Sequence, residues 1–156
     1  MKRIAIAAVL SLLAGFASAD DGKNKVVSFD AGQALFAGAV LDSSLYIFSY
    51  EMPMTMGAAQ SNALRFTLYT GTLCPYYCWD YTTVGVEMRN YNGAYSNSSY
   101  FSYDAVAGYY ERDGFVAGVN VGLGYAVTFG DSFVIDPYFK AGTGGLAFGL
   151  NAGVRF

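Results

Sequence analysis

The sequence has 156 residues, of which 54% are hydrophobic and 13% are charged. A typical globular domain carries about twice that share of charge, so the chain is too apolar for an ordinary water-soluble fold. It contains no histidine, which removes the usual general base of hydrolytic enzymes.

The chain begins with the layout of a secretory signal peptide. Two basic residues precede an apolar run over residues 4–16, and a small-residue cleavage site follows at 17–19. We therefore expect residues 1–19 to be removed and residues 20–156 to form one mature domain. Without the two leader bases, twelve acids face seven bases, and this net charge of −5 argues against nucleic-acid binding.

The mature chain has no segment that could cross a membrane as a helix. Its longest apolar run covers residues 34–41, well short of the roughly 20 residues that a spanning helix needs. The other structure that satisfies its own backbone groups in hydrocarbon is a closed barrel of strands. We therefore interpret the secreted, apolar chain as a β-barrel.

Eight segments alternate with the period of two that is typical of a strand. The clearest covers residues 115–129, where Phe115, Val121 and the other large apolar residues share one face. The first segment is irregular near Gly32-Gln33, so we expect a β-bulge there. The predicted strands cover residues 26–41, 44–53, 62–73, 81–91, 99–111, 115–129, 132–142 and 145–156.

The charged residues of these segments lie on the face opposite to the large apolar ones. They comprise five acids and five bases, and charges that meet across a narrow lumen must be paired to offset their desolvation. We therefore predict a structural charge network inside the barrel. Its members are Asp30, Glu51, Arg65, Glu87, Arg89, Asp104, Arg112, Asp136, Lys140 and Arg155.

The opposite assignment of faces gives a soluble, lipocalin-like carrier of apolar ligands. The exterior of that barrel would carry too many glycines and too few charges for a solvated surface. A second alternative is a lipid-modifying enzyme of the outer membrane. Without histidine, that enzyme would need a hydroxyl activated by Lys140 or by a carboxylate, so we predict neither catalytic residues nor a cofactor.

The mature chain resembles the small eight-stranded outer-membrane barrels of the OmpX and OmpA membrane-domain type. The most specific likeness is the last strand, which ends on an aromatic residue, Phe156, after apolar residues at Val154, Leu150 and Phe148. The resemblance implies that these four residues form the signal read by the barrel assembly machinery. Asn151 departs from the pattern, since that signal usually has a glycine there.

The resemblance implies an all-β, eight-stranded antiparallel up-and-down transmembrane barrel in a bacterial outer membrane. Its partners would be outer-membrane lipid and, during biogenesis, the assembly machinery. Side chains just fill a barrel of eight strands, so we expect a plugged interior with Tyr69, Tyr110 and Tyr138 among the charges. The function expected is structural or surface-interactive, without catalysis.

Two smaller features complete the sequence-based expectations. Cys74 and Cys78 should form a small-loop disulfide in an oxidising compartment, and two sulfurs without histidine give poor support to a metal site. Aromatic residues gather near strand ends, for example at Trp79 and Tyr81 and at Tyr95 and Tyr100. Membrane-interface girdles and the ordinary strand propensity of aromatic residues both account for them.

Overall fold

The computed structural model describes residues 25–40, 43–74, 77–111, 113–143 and 145–156. The predicted signal peptide lies outside these residues. The elements, in chain order, are β1 (Val26–Asp30), α1 (Ala31–Val40), β2 (Ser44–Thr55), β3 (Ser61–Leu73), β4 (Trp79–Tyr91), β5 (Ser99–Tyr110), β6 (Gly114–Tyr125), β7 (Val127–Phe129), β8 (Phe133–Gly142) and β9 (Gly145–Arg155).

The structure is a closed, eight-stranded, antiparallel, up-and-down barrel, which confirms the predicted fold class. Strands β6 and β7 are consecutive parts of one barrel strand, and both pair with β8. Each barrel strand pairs with the next one along the chain, and β9 pairs with β1 to close the barrel. Pro137 lies on β8 opposite the break between them, where it has no N–H to donate.

The alternation of the sequence becomes the two faces of the barrel wall. On β6, exposed and less exposed residues alternate from Phe115 to Tyr125. Apart from Ala117, the exposed positions carry large apolar side chains; Phe115 keeps 74% of its surface exposed and Leu123 keeps 60%. Because successive side chains of a strand point to opposite faces, the intervening residues line the interior.

One element differs from its prediction: residues 31–40 form the helix α1, and both the long first strand over 26–41 and the bulge at Gly32-Gln33 are wrong. The segment "AGQALFAGAV" is rich in alanine, which favours a helix over a strand. Asp30 ends β1 and caps the helix, since its Oδ1 accepts a hydrogen bond of 2.8 Å from the backbone N–H of Gln33. In the described part of the chain, no helix is long and apolar enough to span a membrane.

The barrel has two distinct ends. At the terminal end, the backbones of Lys25 and Phe156 pair beside the connections 56–60, 92–98 and 130–132. At the disulfide end lie the loop that follows β3 and the connections that follow β5 and β8. The helix α1 packs against β2 and β9, whose facing edges extend beyond the short β1 toward the disulfide end and have no strand between them there.

Candidate functional site: the barrel interior

The barrel interior is the candidate site, because the structure places most of the predicted charges there. Arg155 lies at an inward-facing position of β9 and is half-buried at the terminal end of the barrel. Its guanidinium is 5.9 Å from the centre of the Tyr95 ring. Arg112 lies outside the described residues. The other predicted charges are buried: Asp30, Glu51, Arg65, Glu87, Arg89, Asp104, Asp136 and Lys140.

The strand register brings several of these charges to one level of the barrel. Glu51 on β2 is directly opposite Arg65 on β3, and Arg65 is opposite Glu87 on β4. Glu87 in turn faces Asp104 on β5, which faces Asn120 on β6. Side chains that stand directly opposite on one face of a sheet are close enough to pair. The alternation seen in the sequence therefore places these polar groups at one level on the inner face of five adjacent strands.

The centre of the charge network is the Asp136 carboxylate. Its Oδ2 lies 3.1 Å from Arg65 Nη1 and 2.8 Å from Arg89 Nη1, and its Oδ1 accepts a hydrogen bond of 2.7 Å from the Tyr100 hydroxyl. The Asn151 amide donates to the same carboxylate at 3.1 Å, and its oxygen accepts from Arg65 at 2.7 Å. Each charge at this centre thus has several partners, as burial requires.

Arg89 connects this centre to two further carboxylates. Its Nη1 lies 3.1 Å from Glu51 Oε2, and its Nε lies 3.3 Å from Glu87 Oε1 in an ion pair that lacks hydrogen-bond geometry. The guanidinium also lies 4.2 Å from the centre of the Tyr100 ring. The other oxygen of Glu51, Oε1, accepts a hydrogen bond of 2.7 Å from the Tyr91 hydroxyl. Arg89 therefore joins three carboxylates that come from different strands.

The network continues toward the disulfide end through Lys140. Its Nζ lies 2.6 Å from Asp104 Oδ2 and 3.0 Å from Glu87 Oε2. The amide of Asn120 donates to the other oxygen of Asp104 at 2.5 Å. Asp104 thus has both of its oxygens bound.

Asp30 forms a separate polar group beside the helix. Its Oδ1 accepts from the N–H groups of Gln33 and Leu150, at 2.8 and 3.3 Å, and its Oδ2 accepts from the Tyr138 hydroxyl. The Gln33 amide donates to that hydroxyl at 2.8 Å. Gly149 permits this arrangement, because a side chain at that position would overlap Tyr138 and Asp30.

The interior is plugged only in its terminal half. Around Arg65, Arg89 and Asp136 a void of about 10 Å³ remains, which is at or below the roughly 10–15 Å³ needed for a single water. Toward the disulfide end the interior holds a cavity of about 550 Å³, which we call the upper cavity. The expectation of a plugged interior therefore holds for the terminal half and is wrong for the disulfide end. There the lining combines tyrosine rings with small residues such as Thr83 and Gly118, which leave part of the interior open.

Several residues of the interior were not part of the predicted charge network, although they lie on the same inward face of their strands. They are Tyr91, Tyr100, Asn120 and Asn151, each of which bonds a buried charge. Tyr81, Tyr95 and Tyr100 are buried inside the barrel, so they do not form interface girdles. In the turn over 92–98, burial and the nearby Glu51 carboxylate raise the pKa of Tyr95.

The remaining predicted residues lie on the outside or in a loop. Cys74 and Cys78 are joined by a disulfide in the loop between β3 and β4. Three residues of the predicted assembly signal, Phe148, Leu150 and Val154, project outward from β9. Phe156 follows the end of this strand, and its backbone pairs with Lys25.

Across the described residues, His, Cys, Asp and Glu side chains form no group of three or more that could hold a metal ion. Comparisons with protein-family models, with curated proteins and with solved structures find no match to this chain.

Proposed function

We propose that this protein is an integral barrel of a bacterial outer membrane, similar to the small OmpX and OmpA membrane-domain type, with a structural or surface-interaction role and no catalysis. The observation that carries the proposal is the sorting of side chains across the wall. Large apolar residues lie outside, whereas charged residues lie inside and are paired.

The apolar exterior suits hydrocarbon better than water. Outward residues such as Phe66, Val84, Leu123, Phe139 and Phe148 each keep more than 40% of their surface exposed, and they come from different strands. Soluble monomers rarely expose continuous apolar patches larger than a few hundred Å². A lipid environment accounts for this surface without requiring a protein partner around the whole barrel.

The polar interior distinguishes this proposal from the soluble carrier. A lipocalin-like barrel needs its apolar face inside, where it contacts the ligand. Here the interior contains buried charges, and these charges are connected by ion pairs. They include Arg65, Glu87, Arg89 and Asp136. Reversing the faces would put these charges in solvent and the large apolar residues in the lumen.

The proposed partners follow from the same surfaces. Outer-membrane lipid would contact the apolar exterior, and the assembly machinery would read the outward residues of β9 together with Phe156. The leader over residues 1–19 would direct secretion. With its acidic net charge, the mature chain is not proposed to bind nucleic acid.

Fractionation of the mature protein tests the proposal. We expect it in the outer-membrane fraction, resistant to extraction with carbonate or urea. In detergent, unheated and heated samples should migrate differently on a gel, because a folded barrel resists unfolding by the detergent. Recovery in the soluble periplasm, with the same mobility before and after heating, would contradict the proposal.

A further inference from the structure

The upper cavity is a blind pocket that opens at the disulfide end. Its volume of about 550 Å³ lies within the range of roughly 300–1,000 Å³ that is typical of small-molecule sites. Leu73 and Tyr110 of its lining lie at the disulfide ends of their strands, so the cavity reaches the rim of the barrel. Below it, the void around Arg65, Arg89 and Asp136 is only about 10 Å³. A small molecule that enters at the rim therefore cannot pass through the barrel.

The residues that line the cavity come from the whole circumference of the barrel. They belong to the helix α1 and to strands β2, β3, β4, β5, β6, β8 and β9. Strand β1 has ended at this level, and α1 lies between β2 and β9 in its place. A molecule in the cavity would therefore contact the wall on every side and lose much of its hydration, as ligands in protein pockets usually do.

Most of the residues that line the cavity are aromatic or aliphatic. The rings of Tyr81 and Tyr110 are stacked, with their centres 5.4 Å apart and their planes at 18°, and Tyr69 and Tyr138 line the cavity as well. Leucine and valine side chains complete the apolar wall at Leu45, Leu73, Val106 and Val116. Aromatic rings pack well against other rings, in offset-stacked or edge-to-face contacts. The wall therefore suits a flat, apolar body.

Several polar side chains of the lining are bound within the protein. The Gln33 amide donates to the Tyr138 hydroxyl at 2.8 Å, and the Asn120 amide donates to Asp104 at 2.5 Å. The Tyr81 hydroxyl is fully buried, so a molecule in the cavity would not reach it. These groups are not available to fix a strongly polar ligand in the cavity.

Lys140 is the one charged residue among the described residues that line the cavity. Its ammonium lies 2.6 Å from Asp104 Oδ2 and 3.0 Å from Glu87 Oε2, so it already has two carboxylate partners. An anion in the cavity would meet this neutralised ammonium, and a cation would find no carboxylate in the described part of the lining. Because burying a charge without a partner is costly, the cavity disfavours ligands of either sign.

From the enclosing wall, its aromatic rings and the engagement of the one charged group in its described lining, we propose that the upper cavity binds a small uncharged molecule with an aromatic body. The tyrosine rings contact that body. The molecule enters and leaves at the rim, because the charge network closes the other end of the cavity. The inference concerns the interior alone, so it does not depend on the proposed membrane location.

Three probes of the same shape test the preference for an uncharged ligand: naphthylmethanol, naphthylmethylammonium and naphthoate. Each is titrated by calorimetry into the folded full-length mature protein in dodecyl maltoside, with protein-free micelles as the blank and the free probe measured by dialysis. We expect saturable binding of the alcohol, and binding of both charged probes weaker by about tenfold or more. A charged probe that binds as tightly as the alcohol, or no saturable binding of the alcohol, would overturn the proposal.

Paired variants locate the site. Val116→Phe puts a ring into the cavity and should abolish saturable binding of the alcohol, whereas Val119→Phe makes the same change at an exposed outward position of β6 and should leave binding unchanged. Tyr110→Leu removes a lining ring and should weaken binding by about threefold or more, with the outward Tyr109→Leu as its control. Each variant must keep the circular dichroism spectrum of the parent protein before it is titrated. Undiminished binding to both folded lining variants would place the probe elsewhere and overturn the proposal.

Discussion

Replacing Arg89 with methionine should destabilise the barrel strongly. The substitution keeps much of the apolar volume but removes a cation that contacts Glu51, Glu87 and Asp136. Glu87 would keep its contact with Lys140 at 3.0 Å, and Asp136 would keep Arg65 at 3.1 Å. Glu51 would lose its ion-pair partner and keep the Tyr91 hydroxyl.

One buried carboxylate is thus left without a cation, and removing one partner of a buried ion pair costs about 3–5 kcal/mol. The free energy of unfolding is measured by urea titration in detergent micelles, with the fluorescence of the only tryptophan, Trp79, as the probe. Asn90→Met on the same strand is the control, and it should change stability by less than about 0.5 kcal/mol because Asn90 lies outside the network.

A double-mutant cycle tests the stated cause of this loss. Glu51→Gln removes the stranded charge, so Arg89→Met combined with Glu51→Gln should cost less than the sum of the two single substitutions, by about 1–3 kcal/mol. Two results would refute the reasoning. They are a cost of Arg89→Met no larger than that of the Asn90 control, and strict additivity of the two substitutions.

Two further predictions concern the wall of the barrel. In lipid vesicles, Val121→Arg, at the middle of an outward face, should lower the free energy of unfolding by about 2–4 kcal/mol, and Leu146→Arg, near a strand end, by only about 0–1 kcal/mol. Urea titration measures both values. Equal losses of stability would argue against a barrel whose midline is embedded in the membrane. Gly124→Ala should destabilise the barrel, because the added methyl group would overlap the ring of Tyr100. Gly38 is the control, because it lies at an exposed helix position with room for a methyl group; Gly38→Ala should be neutral or stabilise the protein by up to about 1 kcal/mol. Thermal unfolding compares the two variants. A Gly124→Ala protein as stable as the Gly38→Ala protein would be inconsistent with the packing described.

Strand parity could be predicted from the sequence because it depends on neighbouring residues alone. The inward positions of Glu51, Arg65 and Glu87 follow from counting in steps of two along each strand. The partners of each charge could not be obtained in this way. Asp136 meets Arg65 only because the barrel closes in one register, and the two residues are 71 positions apart in the chain.

The helix α1 shows where local pattern fails. Apart from Gln33, its residues are alanine, glycine and a few larger apolar side chains, so the short apolar run fits either a strand or a helix. The helix is also capped by Asp30, and the same carboxylate accepts a hydrogen bond from Tyr138 on β8, which is 108 positions away in the chain. A local choice of structure here rests on contacts between distant segments.

Asn151 gives a physical reason for a departure seen in the sequence. At this departure from the pattern that the last strand resembles, the Asn151 side chain binds both Arg65 and Asp136 in the lumen. The size of the upper cavity could not be predicted from the sequence. Strand alternation places Tyr69 and Tyr110 inside the barrel, but it does not give the space between them, because that space depends on side-chain length and on the stagger of the strands together.

The most direct test of the central claim is to measure which face of the wall contacts lipid. Trp79→Phe removes the native tryptophan, and a single new tryptophan is placed at outward Val121 or, as the matched control, at inward Asn120. The folded proteins are reconstituted into vesicles of lipids brominated in the acyl chains. We predict strong fluorescence quenching of the tryptophan at position 121 and little at position 120. Equal quenching at both positions, or quenching at neither, would contradict the account of a membrane barrel with a polar interior.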